Sequence, residues 1–508
     1  MIIYRKILAL ITMFASLLML MPAAAEAKAE SDVNTNDTNN SIKNGQKTAF
    51  VGGHIINPES GSVLHNATIL LEGGKILKVL SSKEQVPAGF KVLNIKDKWI
   101  MPGLIDGHIH LAQSGSAFTR PDTLDATKIS PYQQDQQWLL DNSRSIFESY
   151  LNMGVTTIVD LGGPSEYMAH HRQLASYKPS PNLLMAGTLL SPMDMPKLSL
   201  NGKTFSKVAT EEEALNTLKQ QIAMQADIIK IVWSQETGMT TDELYNLYKP
   251  VIDAAHKHNK QVAVHVEDLA NAKRSIEAGG DILVHGVISE PIDEELIQLM
   301  KARNASYMPT LSVTAHYSEM FKGAVSFNRL EQKHGDPIIL NSFAELMANI
   351  PKTDSMSQLL LKYTPYVDAP EEALKNLNEQ ERSIVEQLKP NFAKSAVEIQ
   401  SDNLKRIIDS GVNIAFGTDA GNPGTLHAYS LLGEMREWKK AGISNQRILQ
   451  AATAGNAKAY KLSNKVGAIA PGLQADFIVL ANNPLQDIEN VFTAEMIVKE
   501  GQLVEVTH

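Results

Sequence analysis

The sequence predicts an α/β chain: a (β/α)8 barrel of the TIM type with a small β-sandwich domain formed from both chain ends. Three observations carry this. Eight short apolar strands alternate with amphipathic helical stretches through the middle of the chain. Strand-and-turn patterns without helical periodicity occupy both flanks. At 508 residues and 43% hydrophobic, the chain exceeds one minimal domain and can bury a large core.

The elements follow in chain order. Arg5 and Lys6 precede an apolar stretch from Ile7 to Met21, then Pro22 and the small residues Ala23, Ala24 and Ala25. A basic start, a short apolar run and an A-x-A end predict a signal peptide over 1–25, cut within 25–27. The run is short for a bilayer span, so no stable membrane insertion is expected once the leader is removed. The product would be exported, to a periplasm or the medium. Residues 26–46 are rich in Asn, Thr, Ser and Lys and predict a disordered linker.

Residues 47–101 and 465–508 share one style. Strands are predicted at 67–72 and 75–79 around Gly73-Gly74, and at 475–480, 494–499 and 502–504. Chain ends often lie close together, so the two pieces are expected to form one composite domain. Between them, 102–464 carries predicted strands at 103–111, 156–161, 183–189, 227–233, 261–266, 282–287, 306–311 and 413–418. Helices are predicted at 137–152, 210–225, 241–259 and 269–278. The stretch 312–394 is too long for one loop. Helical signals at 329–333, 340–348 and 371–388 make it a helical insertion over the barrel mouth.

Composition narrows the chemistry. The 47 Lys+Arg against 56 Asp+Glu, with no like-charge run, argue against a nucleic-acid partner. The absence of cysteine excludes disulfides, thiolate metal sites and a cysteine nucleophile. The 14 histidines remain.

In a barrel, active residues sit at the C-terminal ends of strands. His108 and His110, two apart at the end of the first strand, share a face and suit one metal ion. Lys230 interrupts the apolar run of the fourth strand. A buried ammonium there needs a salt bridge, or it gives up its charge. A neutral amine could instead add CO2 and bridge two cations as a carbamate. His265 and His285 end the fifth and sixth strands, and Asp419 ends the eighth. An aspartate there could be a ligand, a proton shuttle or a helix cap. Asp160, after the second strand, and His427, beyond Asp419, are candidates for contact with substrate or with the ligands. His170, His171, His256 and His258 lie on helical stretches and are expected to be solvated.

The run Pro102-Gly103-Leu104-Ile105-Asp106-Gly107-His108-Ile109-His110, with His265, His285 and Gly417-Thr418-Asp419, resembles the amidohydrolase superfamily. Gly472-Leu473-Gln474-Ala475-Asp476-Phe477 resembles its sandwich strand. The resemblance spans about Gly52 to Val504. It points to the imidazolonepropionase-like and Xaa-Pro dipeptidase-like branch through Ala254-Ala255-His256, Val262 to His265 and Pro309-Thr310-Leu311. Lys230 favours the binuclear, dipeptidase-like members. The insertion after the seventh strand departs from the compact pattern.

The resemblance implies two divalent metal ions, zinc by default, with manganese or cobalt also suited to the ligands. One would be held by His108, His110 and Asp419, the other by His265 and His285. Carboxylated Lys230 and a hydroxide would bridge them. Asp419 would be the catalytic acid–base, and a small molecule or dipeptide would be cut at a C–N amide bond, as in Xaa-Pro dipeptides or N-acyl amino acids. The alternatives are a lactonase or phosphotriesterase on the same centre, a mononuclear imidazolonepropionase-like hydrolase, and a non-catalytic exported metal- or solute-binding protein. A homo-oligomer is compatible with all of them.

Overall fold

The computed structural model describes residues 46–200 and 202–505. The expected leader, and all of the linker except Gln46, lie outside them.

Both chain ends build one sheet. Strand β1 (Thr48–Ile56) pairs antiparallel with β2 (Val63–Glu72), which pairs with β3 (Lys75–Leu80). Gly73 and Gly74 make the β2–β3 turn with φ of 60° and 78°, a backbone region open to glycine. The first half of β1 runs parallel to β4 (Lys91–Asn94), its second half to β5 (Trp99–Pro102). β5 then pairs antiparallel with β16 (Phe477–Leu480), followed by β17 (Ala494–Lys499) and β18 (Gln502–Val504). The strands thus form one eight-stranded sheet rather than two separate ones. It curls until Ile76 N–H donates to Leu473 O (2.9 Å) and Ala475 N–H to Gly74 O (2.9 Å). Phe50, Ile69, Ile76, Phe477 and Val498 fill the fold between the ends.

The middle of the chain alternates parallel strands with helices. Strands β6 (Leu104–Ile109), β7 (Val155–Asp160) and β8 (Asn182–Met185) form one parallel sheet. A second contains β9 (Leu189–Ser191), β10 (Phe205–Lys207), β11 (Ile228–Val232), β12 (Gln261–His265), β13 (Ile282–Val284), β14 (Ser306–Met308) and β15 (Asn413–Ile414). Backbone hydrogen bonds join the two sheets on both flanks. Asp227 N–H donates to Met185 O (2.8 Å) on one side; Gly107 N–H donates to Phe416 O (2.9 Å) and His110 N–H to Ala420 O (2.8 Å) on the other. The third predicted strand is two short pieces, β8 and β9.

Helices α1 (Tyr132–Asn152) and α2 (Met168–Ser176) come first, then α3 (Glu211–Ala223), α4 (Thr241–Lys257), α5 (Leu269–Ala278) and α6 (Glu294–Arg303). Their ends follow from sequence. Thr210 with Glu213 and Thr240 with Glu243 close capping boxes that start α3 and α4. Gly279, left-handed, stops α5.

After β14 come α7 (Leu311–Lys322), α8 (Arg329–His334), α9 (Pro337–Ala348), α10 (Ser355–Tyr363), α11 (Glu371–Leu374) and α12 (Glu379–Phe392). The single helix predicted at 371–388 is two, because Asn378 caps a new start with Glu381. These helices pack on the loop after β6: Phe118 and Leu124 share a core with Phe321, Phe343, Leu361 and Leu388. Helix α13 (Lys394–Ser410) leads to β15, and α14 (Leu431–Lys440) follows it. Among the described residues no helix is long and apolar enough to cross a membrane.

Candidate metal centre

His108 lies within β6 and His110 just after it, both buried, with their Nε2 atoms 3.2 Å apart. His110 Nδ1 is 2.7 Å from the carbonyl oxygen of Gly162, to which it donates, leaving the Nε2 lone pair facing His108. Asp419 Oδ1 lies 3.3 Å from His108 Nε2 and 3.1 Å from His110 Nε2. The backbone forces this meeting. Asp419 takes a left-handed φ of 58° and its N–H donates to His108 O (2.8 Å). Beneath it, Asp106 accepts from Thr418 N–H (3.0 Å) and Thr418 Oγ1 (2.7 Å), pinning the end of the β15 segment to β6. One ligand atom from each of His108, His110 and Asp419 lies within 4.8 Å of the others.

The remaining candidates join this group. The His285 ring lies 5.2 Å from that of His108 and 4.8 Å from that of His265, centroid to centroid. His285 Nδ1 is 2.8 Å from Thr310 Oγ1. Lys230, on β11, is 1% exposed, and its Nζ has no hydrogen-bond partner among the described residues. Burial lowers its amine to about 7, against the opposing pull of Asp419. Burial also holds His108 and His285 well below the usual imidazole range and lowers His265, with the charge of Lys230 acting in the same direction. Neutral imidazoles are the ligand form.

A donor set like this fits a divalent cation. Lys230 Nζ and Asp419 Oδ1 are both buried without a hydrogen-bond partner among the described residues, which costs about 1–3 kcal/mol each unless something else satisfies them. A cation at the three-residue group would do so for Asp419.

The secondary candidates stand apart. Asp160, buried at the end of β7, accepts from Gly162 N–H (3.1 Å) and so shapes the loop that holds His110. Burial raises its carboxyl to about 6. His427 is held between the Tyr150 hydroxyl (3.0 Å) and Gln113 O (2.8 Å), and burial lowers it to about 4. Neither lines the cavity above the centre. His171, expected to be solvated, is buried against Phe147 and Tyr167. His256 is half-exposed and pairs with Asp281 at 2.8 Å.

The cavity, of about 220 Å³, opens over His110, Lys230, His265, His285 and Asp419. Sequence reasoning missed most of its wall. Arg120 and Thr123 come from the loop after β6, Tyr317 and Phe321 from α7, Phe392 from the end of α12, and Asn422 from the turn after Asp419. These positions lie in loops and an insertion, where no strand period marks an inward face.

The model of the amidohydrolase family matches residues 99–504. Ochratoxinase from Aspergillus niger is 23% identical over 482 residues, covering 87% of this chain and 83% of that protein. A Xaa-Pro dipeptidase structure with bound methionine in the active site is 22% identical, with a TM-score of 0.64 over 91% of this chain and 100% of that one. Phenylurea hydrolase B is 17% identical, with a TM-score of 0.65 over 91% and 97%. At these identities the structural likeness is one of fold.

Proposed function

Because this chain belongs to the amidohydrolase family, we propose that it is an exported, metal-dependent hydrolase that cuts the amide bond of an aminoacyl-proline or an N-acyl amino acid. That it hydrolyses carbon–nitrogen bonds follows from the family itself. The binuclear metal reading rests on one observation: Lys230 Nζ is buried, with no hydrogen-bond partner among the described residues, beside histidines that burial keeps neutral. The hydrogen bonds joining the two parallel sheets on both flanks support a closed (β/α)8 barrel, with this group at its C-terminal mouth. The curled sheet of both chain ends is then the companion domain.

His108, His110 and Asp419 would hold one ion, and His265 and His285 the other. Lys230, as a neutral amine, would add CO2 and lose a proton to become an anionic carbamate between them. When bound, the two divalent ions lower the pKa of water and polarise the scissile carbonyl. Imidazole and carboxylate donors favour zinc. Asp419 takes the proton of the attacking water and passes it to the leaving nitrogen. Its backbone N–H bond to His108 O holds the carboxylate in place for both transfers. The likeness to a Xaa-Pro dipeptidase supports a dipeptide as substrate. The sequence of Arg5, Lys6, the Ile7–Met21 run and the alanines after it supports export.

Zinc-loaded protein, screened against dipeptides, N-acyl amino acids, lactones and phosphotriesters, tests this reading. Turnover confined to amides is expected. Turnover of lactones or phosphotriesters alone would overturn it.

A further inference from the structure

We infer that Arg120 receives a carboxylate group of the substrate, so that the amides taken by this cavity carry a free carboxylate near the scissile bond. This rests on reading the cavity as the hydrolytic site.

Arg120 comes from the loop between β6 and α1 and reaches the cavity wall with 15% of its side chain exposed. A buried guanidinium needs a partner, and Asp122 grips one edge: Nε to Oδ1 at 2.8 Å and Nη2 to Oδ2 at 2.6 Å. On the other side Nη1 donates to Asn422 Oδ1 (2.9 Å) and to the Tyr317 hydroxyl (3.3 Å). The Tyr317 hydroxyl in turn donates to Asn422 Oδ1 (2.8 Å). A guanidinium has five N–H donors. These contacts use four, and the fifth, on Nη2, has no partner among the described residues. The group is therefore fixed from three segments, the β6–α1 loop, α7 and the turn after Asp419, with one charged donor in hand. Fixing a receptor beforehand reduces the ordering cost of binding.

Its place relative to the chemistry is set by Asn422, whose Nδ2 donates to Asp419 O (3.1 Å). One side chain thus separates the guanidinium from the backbone of the proton-transferring residue. Of the Arg and Lys side chains on the described wall, the only other is Lys230, at the metal-ligand cluster itself. Glu236 and Glu267 stand on the wall formed after β11 and β12, which therefore offers a carboxylate no cationic partner. Much of the remaining wall is apolar, with Met193, Met195, Phe205, Phe321 and Phe392, and suits an uncharged acyl or side-chain group.

The test compares N-acyl amino acids with their C-terminal carboxamides on zinc-loaded protein. Wild type should prefer the free acid by about 10- to 100-fold in kcat/KM, the range of a hydrogen bond to a charged group, mostly through KM. Arg120→Met/Asp122→Leu, which removes both charges and leaves no stranded carboxylate, should treat acid and amide alike. Arg120→Lys, which keeps Asp122 paired, should lose most of the preference and decides the matter if the double variant does not fold. Equal rates on acid and amide in wild type, or an undiminished preference in the variants, would overturn the proposal. Calorimetric binding of the same acids and amides keeps the two readings separable. If no amide is cut, the function fails, while a binding preference that vanishes with Arg120 still supports the carboxylate site.

Discussion

Thr310 Oγ1 lies 2.8 Å from His285 Nδ1, and both residues sit in left-handed backbone space, at φ 43° and 68°. A β-branched residue there is strained. The surroundings impose it: the next two N–H groups, of Leu311 and Ser312, donate to the Glu434 carboxylate at 2.9 and 2.7 Å. Helix α14 thus fixes the start of α7, and with it the hydroxyl that orients a candidate ligand.

Thr310→Val keeps the shape and removes the hydroxyl. Metal affinity should fall about 10- to 100-fold, the usual cost of losing a hydrogen bond to a ligating histidine. A competition titration against a chelator measures it. Unchanged affinity would mean that Thr310 serves the backbone alone.

Glu434 is fully buried and also accepts from Trp438 Nε1 (2.7 Å). Glu434→Ala strands three N–H donors and opens a cavity, so stability should fall by about 3 kcal/mol or more. Denaturant unfolding followed by tryptophan fluorescence checks this. A loss under about 1 kcal/mol would show that water replaces the carboxylate.

Glu331 gives a pH dependence of defined sign. Burial lifts its carboxyl from the ordinary 4.5 to about 7, although Ser430 and the Asn328 N–H favour the charged form. The folded chain therefore holds this proton more tightly than the unfolded chain. The stabilisation is complete below pH 4.5 and is lost as pH rises through about 7. Its upper bound is about 3 kcal/mol. Glu331→Gln cannot ionise, so its denaturation midpoint should fall less than that of wild type between pH 5 and 8. Parallel profiles would remove Glu331 as the source.

The ligand candidates were legible because strand geometry exposes them. His108 and His110 share a face by spacing, and Lys230 stands out as a charge inside an apolar run. The cavity wall was not legible. Arg120 and Asn422 lie in irregular segments, and Tyr317 lies on an insertion helix whose partner is the loop around Phe118. The meeting of such segments is a long-range event that no local period encodes. His171 was misjudged for a related reason: a short helix of mixed character does not reveal which face Phe147 and Tyr167 will cover. The pairing of β5 with β16 likewise depends on chain ends meeting, and only the matching strand styles hinted at it.

Export is tested at the terminus. Mass spectrometry of the native secreted protein should find a start near Glu26 or Lys28. An intact Met1 in a membrane fraction would contradict it and favour an anchor.

On the proposed reading Lys230 serves as an anionic bridge rather than a cation. As an ammonium it would repel ions held by the neighbouring histidines and Asp419; as a carbamate it would bind both. Metal analysis of wild type and Lys230→Ala, after incubation with zinc and bicarbonate and removal of free metal, tests this most directly. Two equivalents are expected in wild type and at most one in the variant. Two equivalents in both, or no more than one in wild type, would contradict it and leave Lys230 a structural residue.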